Sequence, residues 1–314
     1  MRKLILLCVS LCSMVLLFAA SPARAQSVLW VAATGNDANA CSQSSPCLTF
    51  QGAINKGSVS QINCLTSGNY GAVTITASIT IDCGTGNIGT VSVTGSTTVA
   101  ITINTSSAAT IVLRHLSLNG NNSALAGIGT IAFASGTLVV EDCTIQGFTS
   151  GGTSGSGIFF QPTADRGLLQ VSDSRVFNNF DGIQVQPTNN QIASVTLNRV
   201  EVTGNSHNGL HLNGTGVVAG TMRDSIVGGN ANFGVITGAS QVFFTVEESS
   251  IVANLVAGIG SNAAGSVVNV GASTIGGNGT GLSPTTGSSL ISFGNNQMSA
   301  NGSNGNFTDV TPLR

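Results

Sequence analysis

This chain of 314 residues carries little charge: Asp, Glu, Lys and Arg together make up 7% of it. Aromatic residues are equally scarce at 5%, with one Trp and one Tyr. Lacking a basic patch and a set of stacking rings, the chain is not built for nucleic acid. Past the N-terminus no apolar run is long enough to cross a membrane. A phosphate loop, a nucleophile elbow with its glycines, a metal-protease helix and an RTX-type calcium repeat are all missing. Low charge combined with 41 glycines would suit a disordered chain. A regular apolar alternation over most of the length excludes that reading.

The N-terminus carries export signals. Arg2 and Lys3 precede an apolar run from Leu4 to Ala20, and Ala23 and Ala25 form a small-x-small site. We expect residues 1–25 to be a signal peptide cleaved after Ala25. Cys8 and Cys12 sit inside the apolar run, without the small preceding residue a lipoprotein cysteine needs. Cleavage would remove three of the ten basic residues and leave 7 basic against 12 acidic ones. The mature protein would then be periplasmic or extracellular, with no membrane span. Five cysteines remain in it, and in an oxidising compartment they read as disulfides Cys41–Cys47 and Cys64–Cys83. Other pairings stay open, and a metal site is the lesser alternative because no His lies near them. Cys143 is left over, as a small buried apolar residue.

Self-similarity is the strongest signal. Eight nine-residue segments superpose without gaps: LRHLSLNGN, VEDCTIQGF, VSDSRVFNN, LNRVEVTGN, MRDSIVGGN, VEESSIVAN, VGASTIGGN and FGNNQMSAN. Their starts lie 23 to 31 residues apart. The first and sixth columns are large and apolar, the latter running from Leu118 through Val176 and Val227 to Met298. The ninth is Asn in seven of the eight: Asn121, Asn179, Asn205, Asn230, Asn254, Asn278 and Asn301. Seven of the eight segments are followed by Gly plus an aliphatic residue, as in Gly182-Ile183 and Gly209-Leu210. Every unit thus holds three short runs of period-two alternation, separated by two tight corners and one variable loop. Period two means strands. Such short strands bury little alone, but each can stack on its equivalent in the next unit, with the rest of the unit as the crossover. The chain is therefore expected to be all-β: a single-stranded right-handed parallel β-helix over 63–314, of about nine or ten coils. The segment 26–62 would cap its open N-terminal end. Within it, residues 46–56 are expected to form a short amphipathic helix burying Phe50, Ala53 and Ile54. At the far end, FTDVTPLR with Pro312 would finish the last coil.

These repeats, with the opening WVAATGNDANAC…PCLTFQGAINK, resemble the right-handed parallel β-helix proteins of the pectate-lyase-like superfamily, of exported bacterial type. The resemblance covers nearly all of 28–310. It implies the handedness, which the crossover rule also favours. It is poor for activity, because the fold hosts lyases, hydrolases, epimerases and adhesins.

The asparagine column reads as a structural stack at one corner, Asn being tolerant of left-handed backbone and able to bond the next amide. Charges also fall in columns. The third reads His115, Asp142, Asp173, Arg199, Asp224, Glu248. Pectate lyases use clustered carboxylates for Ca²⁺ and a nearby Arg or Lys as base. Here opposite charges fall on successive coils, Arg199 with Asp173, Arg175 with Glu201 and Arg223 with Glu247, which reads as cross-strand pairing. No cofactor is predicted, and Ca²⁺ has no support beyond the resemblance. The best cluster for chemistry is Asp181, His207 and His211: two imidazoles and a carboxylate on adjacent coils, able to bind a metal or move a proton. Outward Phe159, Gln184 and Ile236 continue that face and Phe180 adds an aromatic at the adjoining corner, an apolar and aromatic strip beside amides that suits sugar rings. The leading functional expectation is a binding or scaffolding protein for envelope or extracellular polysaccharide. The alternatives are a polysaccharide lyase or glycoside hydrolase acting through Asp181, His207 and His211, and an adhesin-like rod.

Overall fold

A computed structural model describes residues 27–311, except Thr85, residues 151–154 and Ser240. The expected signal peptide and Pro312 lie outside the described residues. Among the described residues the regular structure is almost all strand. Two parallel sheets form the molecule, one of nineteen strands and one of ten. The smaller sheet takes one strand from each coil, from Gly68–Asn69 to Gln297–Ser299. The larger takes two strands per coil. The result is the right-handed parallel β-helix expected from the repeat.

Alternation explains the stacking. In the small sheet Ile145 lies on Val176, Val176 on Val202 and Val202 on Val227. All four are fully buried, so the sixth column is an inward ladder of apolar side chains. The first column forms a second ladder, Val140, Val171, Leu197, Met222 and Val246, in the large sheet. A one-residue slip would turn either ladder out to water. In two early coils the strands of the large sheet run on without a loop, as Val99–Arg114 and Ala126–Glu141. Later coils separate the same two strands by loops, as between Asp181–Val185 and Ile192–Asn198.

The asparagine stack corrects the expectation in two ways. First, it begins at Asn179. Each amide oxygen from Asn205 to Asn301 accepts the main-chain N–H of the preceding Asn in the column, at 2.9–3.2 Å. Asn121 is exposed and outside this chain of bonds, because Phe148 occupies the ninth position between it and Asn179. Second, the left-handed residue at this corner is the one before each stacked Asn: Asn178, Gly204, Gly229, Ala253, Gly277 and Ala300. From Asn179 on, Asn is there for its amide, while its neighbour takes the positive φ. Only the isolated Asn121 is itself left-handed.

The opposite corner carries a serine stack that was not foreseen. Ser174 Oγ accepts the Cys143 N–H, Ser225 the Val200 N–H, Ser249 the Ser225 N–H and Ser273 the Ser249 N–H, at 3.0–3.2 Å. Each hydroxyl donates to the carbonyl two residues before it. The third-column residues from His115 to Glu248 stand just before this stack and are all left-handed. Charges of successive coils pair as expected at two places: Arg199 grips both oxygens of Asp173 at 2.6 and 2.7 Å, and in the fifth column Arg175 bonds Glu201 at 2.8 Å. Arg223 differs. It bonds Glu248 rather than Glu247, because the turn at Glu248 brings that carboxylate to both of its nitrogens.

The N-terminal helix is shorter than 46–56, spanning Phe50–Ile54. Cys47 is held by its disulfide and by a bridge to Val31, and Thr49 is extended as the N-cap, so no turn begins earlier. Thr49 Oγ1 accepts the Gly52 N–H at 2.8 Å. Asp37 in turn accepts from Leu48 N, Thr49 N and Thr49 Oγ1 at 2.8–2.9 Å. Phe50 and Ala53 are fully buried, and Ile54 packs on the core. Both expected disulfides form, Cys41–Cys47 and Cys64–Cys83. Cys143 is free, and burial pushes its thiol up to about 12.

Candidate functional site

The Gly-aliphatic strands Ser156–Phe160, Asp181–Val185, Leu210–Leu212 and Phe233–Thr237 lie side by side in the large sheet. Their inward residues are Ile158, Ile183, Leu210 and Val235. One outward column then holds Ser156 and Asp181, and the next holds Phe159, Gln184, His211 and Ile236 in register. The glycines keep the chain close to the core at this edge. A Cβ on Gly182 would lie 2.4 Å from Val202 Cγ1 and 2.6 Å from the Gly209 carbonyl oxygen.

The three residues picked for chemistry meet. His207 Nδ1 is 2.8 Å from Asp181 Oδ1, and His211 Nδ1 is 3.1 Å from Asp181 Oδ2. The Asn208 N–H donates to Oδ1 at 2.9 Å. Asp181 is 1% exposed, so every lone pair it turns to the protein needs a donor. Burial pushes its carboxyl up. The hydrogen bond and charge of His211, the Asn208 amide and the charge of His207 outweigh that, and the group lies below the usual carboxylate range. An ionised carboxylate only accepts. Both Nδ1 atoms therefore carry their proton toward Asp181, and in the neutral rings Nε2 is left as the free base. The Asn208 side-chain nitrogen, 2.8 Å from His207 Nδ1, is then a close neighbour and not a donor to it.

The other expected contacts divide. Phe180 stacks on His207, with ring centres 4.6 Å apart and planes 20° apart. It packs on a face of the ring, while Asp181 holds the Nδ1 edge. Phe159 is half-buried and borders a groove. Gln184 and Ile236 are not on the surface as alternation suggested. Gln184 is 2% exposed, its Oε1 accepting from Ser156 Oγ at 3.0 Å and its Nε2 donating to Gln186 Oε1 at 2.9 Å. Its amide is spent inside the protein, so it positions its neighbours. Ile236 is buried because the Phe233 ring and the next coil close over it. Sequence reasoning missed the groove, of about 290 Å³, bordered by Thr97, Val99, Leu125, Gly129, Phe159 and Gln161. It sits on three successive coils beside the Asp181 site, and the only signal for it was a Gly where the column carries Phe, Gln and His.

Among the described residues, no group of three or more His, Cys, Asp or Glu is arranged to hold a metal ion, and no helix is long and apolar enough to cross a membrane. The third histidine, His115, lies at the serine-stack corner, with Nδ1 2.8 Å from Asp82 and Nε2 3.7 Å from Asp142.

No family model matches the chain, and no curated protein matches it in sequence. Among solved structures it is similar to pectate lyase Pel9A, at 13% identity and a TM-score of 0.61, over 91% of this chain and 80% of that one. It also matches the A-module of the Azotobacter vinelandii mannuronan C-5 epimerase AlgE4, at 12% identity and a TM-score of 0.41, over 83% of this chain and 92% of that one. The first likeness places the fold with the pectate-lyase-like β-helices.

Proposed function

We propose that this is an exported β-helix protein that binds polysaccharide on the outward face of its Gly-aliphatic strands. The observation that carries the reading is that one face holds both a mostly apolar groove walled by Phe159 and, within two coils of it, a fixed cluster of imidazoles beside Phe180. Sugar recognition needs an apolar surface for the ring face and polar groups at its edge. Two disulfides suit an oxidising compartment, and the similar fold of a pectate lyase agrees with a glycan as partner.

One observation favours a second reading, a lyase or hydrolase. A buried carboxylate that holds two imidazoles by Nδ1 sets both Nε2 atoms in a known orientation, which is how a general acid or base is prepared. The test is a panel of neutral and uronic-acid polysaccharides, scored both for retention of the purified protein and for new unsaturated or reducing ends. Retention without turnover supports the binder, and turnover lost in Asp181→Asn supports the enzyme. A protein that neither binds nor cleaves any member is the adhesin-like rod instead.

A further inference from the structure

We propose that the groove walled by Phe159 is a sugar subsite for an uncharged hexose unit, so that the polymer recognised is a neutral glycan and not a polyuronate. The inference rests on the polysaccharide reading above and narrows it.

Four observations point this way. The groove's volume of about 290 Å³ suits one pyranose ring with its attached water better than an extended side chain or a flat aromatic cofactor. Val99, Leu125, Ala126 and the Phe159 ring give it apolar walls, and Thr97 and Gln161 stand at its border. A pyranose has this same division, with C–H bonds on its face and hydroxyls at its edge. Gly129 leaves the space open: a Cβ there would lie 3.0 Å from Val99 Cγ1. The last observation concerns charge. None of the residues bordering the groove is charged, and the one carboxylate on this face, Asp181, is fully engaged by His207, His211 and the Asn208 N–H. A uronate carboxylate seated here would give up its water without gaining a cation, which is costly. A neutral hexose loses nothing of the kind.

The subsite also has a place relative to the histidines. Phe159 pairs with Gln184 and Gln184 with His211, so Phe159 and His211 are two coils apart, about 10 Å at the usual strand spacing. A glycan lying along the solenoid axis would rest one unit on Phe159 and pass a later unit over His211.

The experiment compares cellohexaose, mannohexaose and galacturonohexaose by titration calorimetry against wild type, Phe159→Ala and Phe159→Trp. Phe159 is half-buried, and thermal unfolding of each variant checks that the fold is kept. We expect at least one neutral hexamer to bind more tightly than galacturonohexaose. Phe159→Ala should weaken that binding about tenfold, the loss of one aromatic stacking platform, and Phe159→Trp should keep it. Tighter binding of galacturonohexaose overturns the neutral subsite while leaving the polysaccharide reading in place, as does neutral binding indifferent to Phe159→Ala. Failure of all three hexamers to bind counts against both.

Discussion

Asn230→Ala should be among the most damaging single substitutions in this protein, although it changes no apolar contact in the core. Asn230 is 1% exposed. Its Oδ1 accepts two bonds from the coil below, Asn205 N at 3.1 Å and Asn205 Nδ2 at 2.9 Å. Its Nδ2 donates to Asn254 Oδ1 at 2.8 Å. Truncation leaves both Asn205 donors without a partner, in a place where Asn205 is itself buried. An unsatisfied buried group costs about 1–3 kcal/mol, so two cost about 2–6 kcal/mol. A water admitted to the vacated space brings the loss to the lower end. Asn254 Oδ1 is less affected, since the Asn230 main-chain N–H still donates to it. The internal control is Asn301→Ala. Asn301 receives the equivalent two bonds from Asn278, but it is half-exposed, and water can take its place. Its removal should cost about 1 kcal/mol, the net worth of an ordinary hydrogen bond. Urea unfolding of the two variants and wild type, followed by circular dichroism, measures the difference. Equal losses at the two positions would refute the account, because access of water to the vacated site would then not be what sets the cost.

Asp181 has a depressed native pKa, so the stability it contributes is fully present above the unfolded carboxylate value of about 3.9 and is lost as pH falls through the native one. Stability measured from about pH 5 down to pH 2 should fall less steeply in Asp181→Asn than in wild type, and identical slopes would contradict the assigned ion pairs. Gly209→Ala would set a Cβ 2.5 Å from Val227 Cγ1, 2.7 Å from the Gly234 carbonyl oxygen and 2.8 Å from Asn230 Nδ2. The carbonyl belongs to the neighbouring strand and cannot swing away, so a loss of about 1–3 kcal/mol is expected, read as a lowered melting temperature. Of the two disulfides, replacing the Cys64–Cys83 pair by serines should cost about 3 kcal/mol and replacing Cys41–Cys47 about 2 kcal/mol, because the longer loop is more restrained in the unfolded chain. Reversal of that order in urea midpoints would show that native contacts outweigh loop closure.

How far the sequence could be read depends on how local the cause of each feature is. Period-two runs, a residue that tolerates left-handed backbone at each corner and an apolar residue in the first and sixth columns are properties of single coils. Repetition then leaves parallel stacking as the way to bury them. The β-helix, its ladders and both disulfides were accordingly legible, and so was the meeting of Asp181, His207 and His211, because coil periodicity alone puts them on one face. Three features show where legibility stopped. Asn121 carries the right residue in the right column, yet the stack does not reach it, because membership depends on the coil above and Phe148 stands there. Gln184 and Ile236 alternate outward, yet both are buried, because side chains of their own and adjacent strands cover them: Ser156 and Gln186 bond the Gln184 amide, and the Phe233 ring lies beside Ile236. Arg223 faces Glu247 in register but bonds Glu248, since the left-handed turn at Glu248 re-aims that side chain.

The sequence by itself determined the architecture, because an alternation repeated every 23 to 31 residues can be buried only by stacking coil on coil. The tertiary structure alone decided which outward residues meet solvent. It turned Asp181 from a corner carboxylate into a buried acceptor for two imidazoles, and it opened a groove beside Gly129 and Phe159. Both depend on how far side chains of one coil reach over the next, and that distance is not written in any single repeat.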